Sequence, residues 1–245
     1  MNIFERLRRR YFSYRFAKRK ITYSDYGFFF VDPMPTEEEL AQYYKESYWG
    51  RDQKKNLFSI SRRDIAHFFE LRKAFSEIFE NRSTILNFGS GRFGMSVLAR
   101  SAGMKVVNCE FRDVEDLFQQ GWVTVEKLSE VSSGSIDLIY ASHSLEHVTD
   151  IKRIINEFVR VGAPNGKFFF EVPNAQHPSA GGSNGMVYPP HTYYFLPKFF
   201  KDLTSGEAII EVFDNKKRNI RVDCSPLPDS NGDVIVCYGN IRDLK

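Results

Sequence analysis

Ile85-Leu86-Asn87-Phe88-Gly89-Ser90-Gly91-Arg92-Phe93-Gly94 is the stretch on which the fold of this chain turns. It reads as a buried strand running through a glycine-rich turn into a helix that starts near Gly94. In such a turn glycine adopts backbone angles closed to other residues and lets a ligand approach the bare main chain, while amides at the helix start face that ligand. Glu110 follows the next strand, Lys105 to Cys109, where a carboxylate accepts hydrogen bonds from both ribose hydroxyls of an adenosine ligand. A lone Gly-x-Gly is also an ordinary tight turn, and a lone acid an ordinary loop residue. Their combination between the right elements is what points to nucleoside binding.

Outward from this stretch, strand-like and helix-like segments alternate. Strands are expected at residues 84–88, 105–109, 122–125, 136–141 and 167–172, with helices from Gly94, near 113–119 and over 150–161. Near-continuous apolar runs such as Phe168-Phe169-Phe170 suit strands covered on both faces, so the expected fold is α/β with a doubly wound, mostly parallel sheet. Two later strand candidates, 207–213 and 233–238, would add an antiparallel C-terminal edge, and a helix is expected near 197–203. Upstream, a capping box at Thr36 and Glu39 starts a short helix through Tyr44. Phe58, Ile65, Phe68, Phe69, Phe75 and Ile78 imply one long amphipathic helix or two abutting ones. The expected organisation is a basic segment 1–20, a lead-in with helices over 21–82, and a main domain 83–245. Residues 173–191, rich in Gly, Pro, Asn and Ser, form a loop of the length that usually carries function.

The net charge of +3 conceals an uneven distribution: residues 1–20 carry eight Arg or Lys against Glu5 alone, so the remainder sums to −4. Ile3, Phe4, Leu7, Tyr11 and Tyr14 recur there at helical spacing, giving a basic amphipathic helix that docks by its apolar stripe or lies peripherally on anionic membrane lipid. No apolar run reaches the roughly 18 residues of a membrane span, so a cytoplasmic protein is expected. Cys109, Cys224 and Cys237 lack the close spacing of a zinc or redox motif and read as reduced structural thiols.

The chain resembles class I S-adenosylmethionine-dependent methyltransferases, with a Rossmann-like sheet, and in particular the bacterial group that modifies small molecules and sugars. The resemblance rests on residues 85–94, on Glu110, and on Ser135 to Val148 with its Leu145-Glu146-His147-Val148 core. Glu171-Val172-Pro173-Asn174 and His191-Thr192-Tyr193-Tyr194-Phe195 extend it, and Pro33 to Trp49 adds a weak match. It implies S-adenosylmethionine held by Asn87, Phe88, Gly89, Ser90, Gly91, Gly94, Glu110, Phe111 and Ser142, with Tyr48 closing over it. It also implies a small-molecule acceptor met by His147 and His191, either of which can serve as general base or simply anchor a loop. The chain departs from the family at Asn87, where an acid is usual, and at Phe93, where a third glycine is usual.

Methyl transfer from a sulfonium needs no metal, and none is expected. His143-Ser144-Leu145-Glu146-His147 matches the H-x-x-E-H pattern of some zinc peptidases, yet it directly follows a buried strand instead of lying within a helix. Nucleic acid is disfavoured, because the chain beyond residue 20 is net acidic and the fourth strand lacks an Asn-Pro-Pro-Tyr ending. Two other readings stay open at this point. One is a degenerate pocket in a binding or scaffold protein, and the other a nicotinamide-dependent oxidoreductase, which shares the glycine loop.

Overall fold

A computed structural model describes residues 16–44, 57–81, 83–110, 123–177, 181–182, 185–204, 209–213, 219–221 and 234–244. Tyr48, Phe111, Cys224, the helix read near 113–119 and most of the basic segment lie outside the described residues. The chain divides into two compact units. One comprises Lys54–Ser142, Lys152–Phe170 and Tyr238–Lys245; the other comprises Met1–Gln53, His143–Ile151 and Glu171–Cys237.

The first unit is built on parallel strands. β3 (Thr84–Phe88) pairs in parallel with β4 (Lys105–Cys109) on one side and β6 (Ile136–Ser142) on the other, and β5 (Val123–Val125) extends β4. With β7 (Gly162–Pro173) and β11 (Val234–Asn240) the order is β11-β7-β6-β3-β4-β5. The chain thus runs outward from β3 to β5 and then returns to the other side of β3. This is a topological switch point, and in such sheets ligands bind beyond the carboxyl ends of the flanking strands. Phe88↔Ala141 and Phe88↔Cys109 are in register, so β3, β4 and β6 end together there.

Helices cover both faces, as the phenylalanine run anticipates. Phe158 of α5 (Ile151–Val161) packs on Phe88 and Phe170, with ring centroids 5.2 and 5.5 Å apart. On the opposite face, His67 of α2 (Arg62–Ala74) lies 4.9 Å from the Phe169 ring and bonds the Tyr140 hydroxyl at 2.8 Å. Successive strand residues point to opposite faces, so this sheet requires apolar residues at every position. Of the two forms expected around Phe58 to Ile78, one long helix or two abutting ones, the structure has the second: α2 and α3 (Ser76–Glu80), with Phe75 between them.

The second unit holds a three-stranded antiparallel sheet, ordered β1-β2-β8, from β1 (Lys20–Ser24), β2 (Phe28–Asp32) and β8 (Tyr193–Phe195). The lead-in therefore carries a hairpin as well as the expected helix, α1 (Glu37–Tyr43). Thr36 accepts from the Glu39 amide at 3.1 Å. Glu39 does not return the bond; its carboxylate takes Arg19 at 2.5 and 2.6 Å, so only half of the expected capping box forms. β9 (Ile209–Phe213) and β10 (Asn219–Arg221) form an antiparallel pair in this unit, and α6 (Pro197–Leu203) lies where a helix was expected. No helix among the described residues is long and apolar enough to cross a membrane.

Candidate functional site

The glycine loop is pinned to the end of β4. The Gly89 and Ser90 amides both donate to the Cys109 carbonyl, at 2.9 and 3.3 Å, and the Ser90 hydroxyl donates back to the Asn87 carbonyl at 2.8 Å. Glu110, whose amide is held by the Val125 carbonyl, turns its carboxylate to the loop and accepts the Gly91 amide at 2.8 Å. Glu110 as a residue is only 6% exposed. Glycine loop and acid are therefore one structure, as their spacing implies.

Gly91 has φ +55, and a Cβ built there meets nothing closer than the Gly89 carbonyl oxygen at 3.8 Å. The space beside the Gly91 Cα is thus open among the described residues, and there an adenosyl ligand would be able to approach the main chain. Phe93 does not fill it. Its ring is fully buried against Phe58, 5.8 Å away, on the side where the Phe58 amide bonds the Arg92 carbonyl. Phe93 takes φ 62, a left-handed angle costing a side-chain-bearing residue about 1–2 kcal/mol, which burial of the ring offsets.

The other family departure has an equally local cause. The Asn87 amide donates to the Ser96 hydroxyl at 2.7 Å, that hydroxyl donates to Asn108 Oδ1 at 2.6 Å, and the Asn108 amide donates to the Val123 carbonyl at 3.2 Å. A carboxylate at position 87 cannot donate, so it would have to reverse this buried relay. Asn87 thus secures the loop from beneath. Phe88 likewise turns its side chain into the core, leaving only its main chain to a ligand.

Gly94 opens α4 (Gly94–Ser101) and is required for packing. A Cβ there would collide with the Asp64 carboxylate and lie 2.9 Å from the Ser59 carbonyl. Asp64 forms with Ser61 the capping box that starts α2, through bonds of 2.8 and 3.1 Å. Gly94→Ala is therefore expected to destabilise the protein by about 1–3 kcal/mol through overpacking, measured as a lower urea midpoint with an unchanged slope.

The second unit holds a charged cluster of its own. His143, directly after β6 with φ 51, lies between two buried carboxylates: its Nδ1 is 3.4 Å from Glu146 and its Nε2 is 3.0 Å from Glu171. Burial alone would lower the His143 pKa, but the two carboxylates raise it to about 9. Burial alone would raise that of Glu146, which the His147, His143 and His191 imidazoles instead hold at about 2. His147 and His191 go the other way. Burial depresses both, His191 to about 3 with help from His147, so both imidazoles are neutral near pH 7.

Backbone ties fix the cluster. The Thr192 amide and hydroxyl bond the Glu146 carbonyl at 2.7 and 2.9 Å, and the hydroxyl reaches the Val148 carbonyl at 2.5 Å. The Tyr193 hydroxyl bonds the Thr149 carbonyl at 3.2 Å. Tyr44 stands edge-on to His147 at 6.0 Å, and Tyr188 lies 5.0 Å from His191. Residues 145–147 form a single 3₁₀ turn, so His143 and His147 do not share the face of an α-helix that a zinc peptidase requires. Sequence reasoning paired His147 with His191, whose rings are 4.9 Å apart, but gave no role to Glu146 or Glu171. The Leu-Glu-His-Val segment was the signal for Glu146.

Ser142 is the last residue of β6. Cys109 and Cys237 are buried free thiols, and burial pushes Cys109 up to about 12, as expected of inert structural residues.

Comparison with known proteins agrees with the architecture. The structure is similar to that of a SAM-dependent methyltransferase from Archaeoglobus fulgidus, at 15% identity over 72% of this chain and 94% of that one, with a TM-score of 0.51. It is also similar to the 1,6-didemethyltoxoflavin-N1-methyltransferase of Burkholderia thailandensis, solved with its substrate and S-adenosylhomocysteine. That match has 15% identity over 90% of this chain and 98% of the other, with a TM-score of 0.54. At such identities the likeness concerns the fold, and S-adenosylmethionine is the cofactor that goes with it in these relatives. No curated protein sequence matches the chain. A family model described as a methyltransferase domain matches residues 58–204, spanning the strand-and-loop core, the acid after β4 and both motifs that supply the histidines. With well over half of its length matched in this way, the chain belongs to the methyltransferase-domain family.

Proposed function

We propose that this protein binds S-adenosylmethionine at the loop formed by residues 89–91 and Glu110, and promotes transfer of its methyl group to a small-molecule acceptor, a sugar or cell-surface precursor among the candidates. The observation that carries the reading is the 2.8 Å bond between the Gly91 amide and the Glu110 carboxylate beneath an open backbone surface. Held by the 89–91 loop and Glu110, the cofactor would supply an electrophilic methyl carbon that the acceptor's lone pair could take, the sulfonium sulfur keeping the electron pair of the broken carbon–sulfur bond. The protein's share is to hold the acceptor in line and to receive its proton. His147 and His191 are suited to the second task because burial keeps their lone pairs available at neutral pH. Likeness to a toxoflavin-precursor enzyme over nearly the whole chain supports a small acceptor.

The test is a transfer assay with methyl-labelled S-adenosylmethionine against panels of sugars, nucleotide sugars, small heterocycles, and RNA. Label in a small molecule, dependent on His147 or His191, is the expected result. Label in RNA alone would overturn the acceptor class.

A further inference from the structure

We propose that Glu146, His147 and His191 bind a divalent transition-metal ion of the zinc class, in a ligand set different from that of the zinc-peptidase pattern, in which His143 and His147 would share a helix face. One donor atom from each residue lies within 4.8 Å of the other two. Tetrahedral coordination at 2.0–2.2 Å sets donors about 3.4 Å apart, so the site needs a contraction of no more than about 1.4 Å, within reach of small imidazole rotations. Glu146 Oε1 and His147 Nε2 are already 3.7 Å apart.

A second observation points to a cation independently. Both Glu146 oxygens are buried and, among the described residues, neither accepts a well-formed hydrogen bond; its one cationic neighbour, His143, stands 3.4 Å from Oε1 and is shared with Glu171. Two buried carboxylates share a single imidazolium, and coordination of an ion is one way such an excess of buried negative charge is retained. The donor set narrows the ion: two imidazoles and one carboxylate suit zinc, cobalt or iron(II), whereas magnesium and calcium take oxygen ligands. The platform is built to hold this geometry. Thr192, next to His191, is tied to the carbonyls of Glu146 and Val148, and His143 stands between the Glu146 and Glu171 carboxylates.

Three protein ligands leave a fourth position for an oxygen of the acceptor. A hydroxyl bound there would be acidified by the ion and could lose its proton to water, so that His147 and His191 would serve as bases only in the metal-free protein. That use rests on the methyl-transfer reading; ion binding does not.

The experiment uses the full chain without an affinity tag, stripped with chelator and titrated first with Co²⁺ and then with Zn²⁺. One equivalent of Co²⁺ giving the visible absorption of a four-coordinate site, displaced by one equivalent of Zn²⁺, is expected. His191→Gln and Glu146→Gln should each weaken Zn²⁺ at least tenfold, while His177→Gln, outside the cluster, leaves it unchanged. Having two cluster variants keeps the test decisive if one fails to fold by circular dichroism. Absence of stoichiometric binding at micromolar Zn²⁺, or binding that both cluster variants retain, overturns the proposal. S-adenosylhomocysteine is titrated into the same preparations. Zinc binding without it leaves the ion site standing and sinks the methyl-transfer reading, and the reverse result does the opposite.

Discussion

Glu110→Ala is expected to weaken binding of S-adenosylhomocysteine by about 100-fold, with the sheet intact. Hydrogen bonds to a charged group contribute about 1.5–3 kcal/mol each, and a ribose offers two hydroxyls to this carboxylate. Part of that gain is offset by removal of the carboxylate from water, so about 3 kcal/mol is a reasonable net loss, roughly two decades in affinity. The substitution also frees the Gly91 amide, which Glu110 holds at 2.8 Å, and so loosens the turn beneath the ligand. Calorimetric titration of wild type, Glu110→Ala and Glu110→Asp separates these contributions. Aspartate keeps the charge but falls short of the loop, and should lie between the other two. Equal affinity in all three would mean that the carboxylate serves only to brace the loop.

His143→Asn should cost about 3–5 kcal/mol of stability, the usual penalty for removing one partner of a buried ion pair. Asparagine tolerates the left-handed angle at this position, φ 51, so the loss reports charge and not backbone strain. Without the imidazolium, Glu146 and Glu171 would face each other as buried like charges. The pH dependence carries a sign. His143 is raised from 6.5 to about 9, so its contribution is complete below pH 6.5 and is lost as pH climbs towards 9. Glu146 is lowered from 4.5 to about 2, so its contribution is complete above pH 4.5 and is lost as pH falls towards 2. The gap between wild type and variant should therefore be widest between about pH 4.5 and 6.5 and narrow on either side. Urea unfolding across this range, on chelator-treated protein, measures it. A gap that does not vary with pH would mean that the cluster is held by packing alone.

The strand, glycine turn and acid were legible in the sequence because each is encoded locally. Glycine marks the turn, and branched apolar residues mark a strand buried on both faces. The β1–β2 hairpin was not legible: Phe28-Phe29-Phe30 pairs with Tyr193 to Phe195, more than 160 residues onward, and no local period reports such a partner. Arg19 drew Glu39 out of its expected capping box by the same kind of long-range contact, while Ser61 and Asp64 formed a box that was not read. At the candidate site, residue identities were visible but their charge states were not. The two histidines within five motif residues, His143 and His147, and the later His191 look alike in sequence. The two carboxylates make His143 a cation against the effect of burial, whereas burial keeps His147 and His191 neutral. Asn87 and Phe93 look like damage to a cofactor loop when compared with the family pattern. In the structure each has a local structural role, one through a buried hydrogen-bond relay and the other through a ring packed on Phe58.

Calorimetric titration of the purified wild-type chain with S-adenosylhomocysteine tests the central claim most directly. One site per chain with micromolar affinity, displaced by S-adenosylmethionine and insensitive to NADH, is the expected result. No heat up to high micromolar ligand, or preferential binding of NADH, would contradict it.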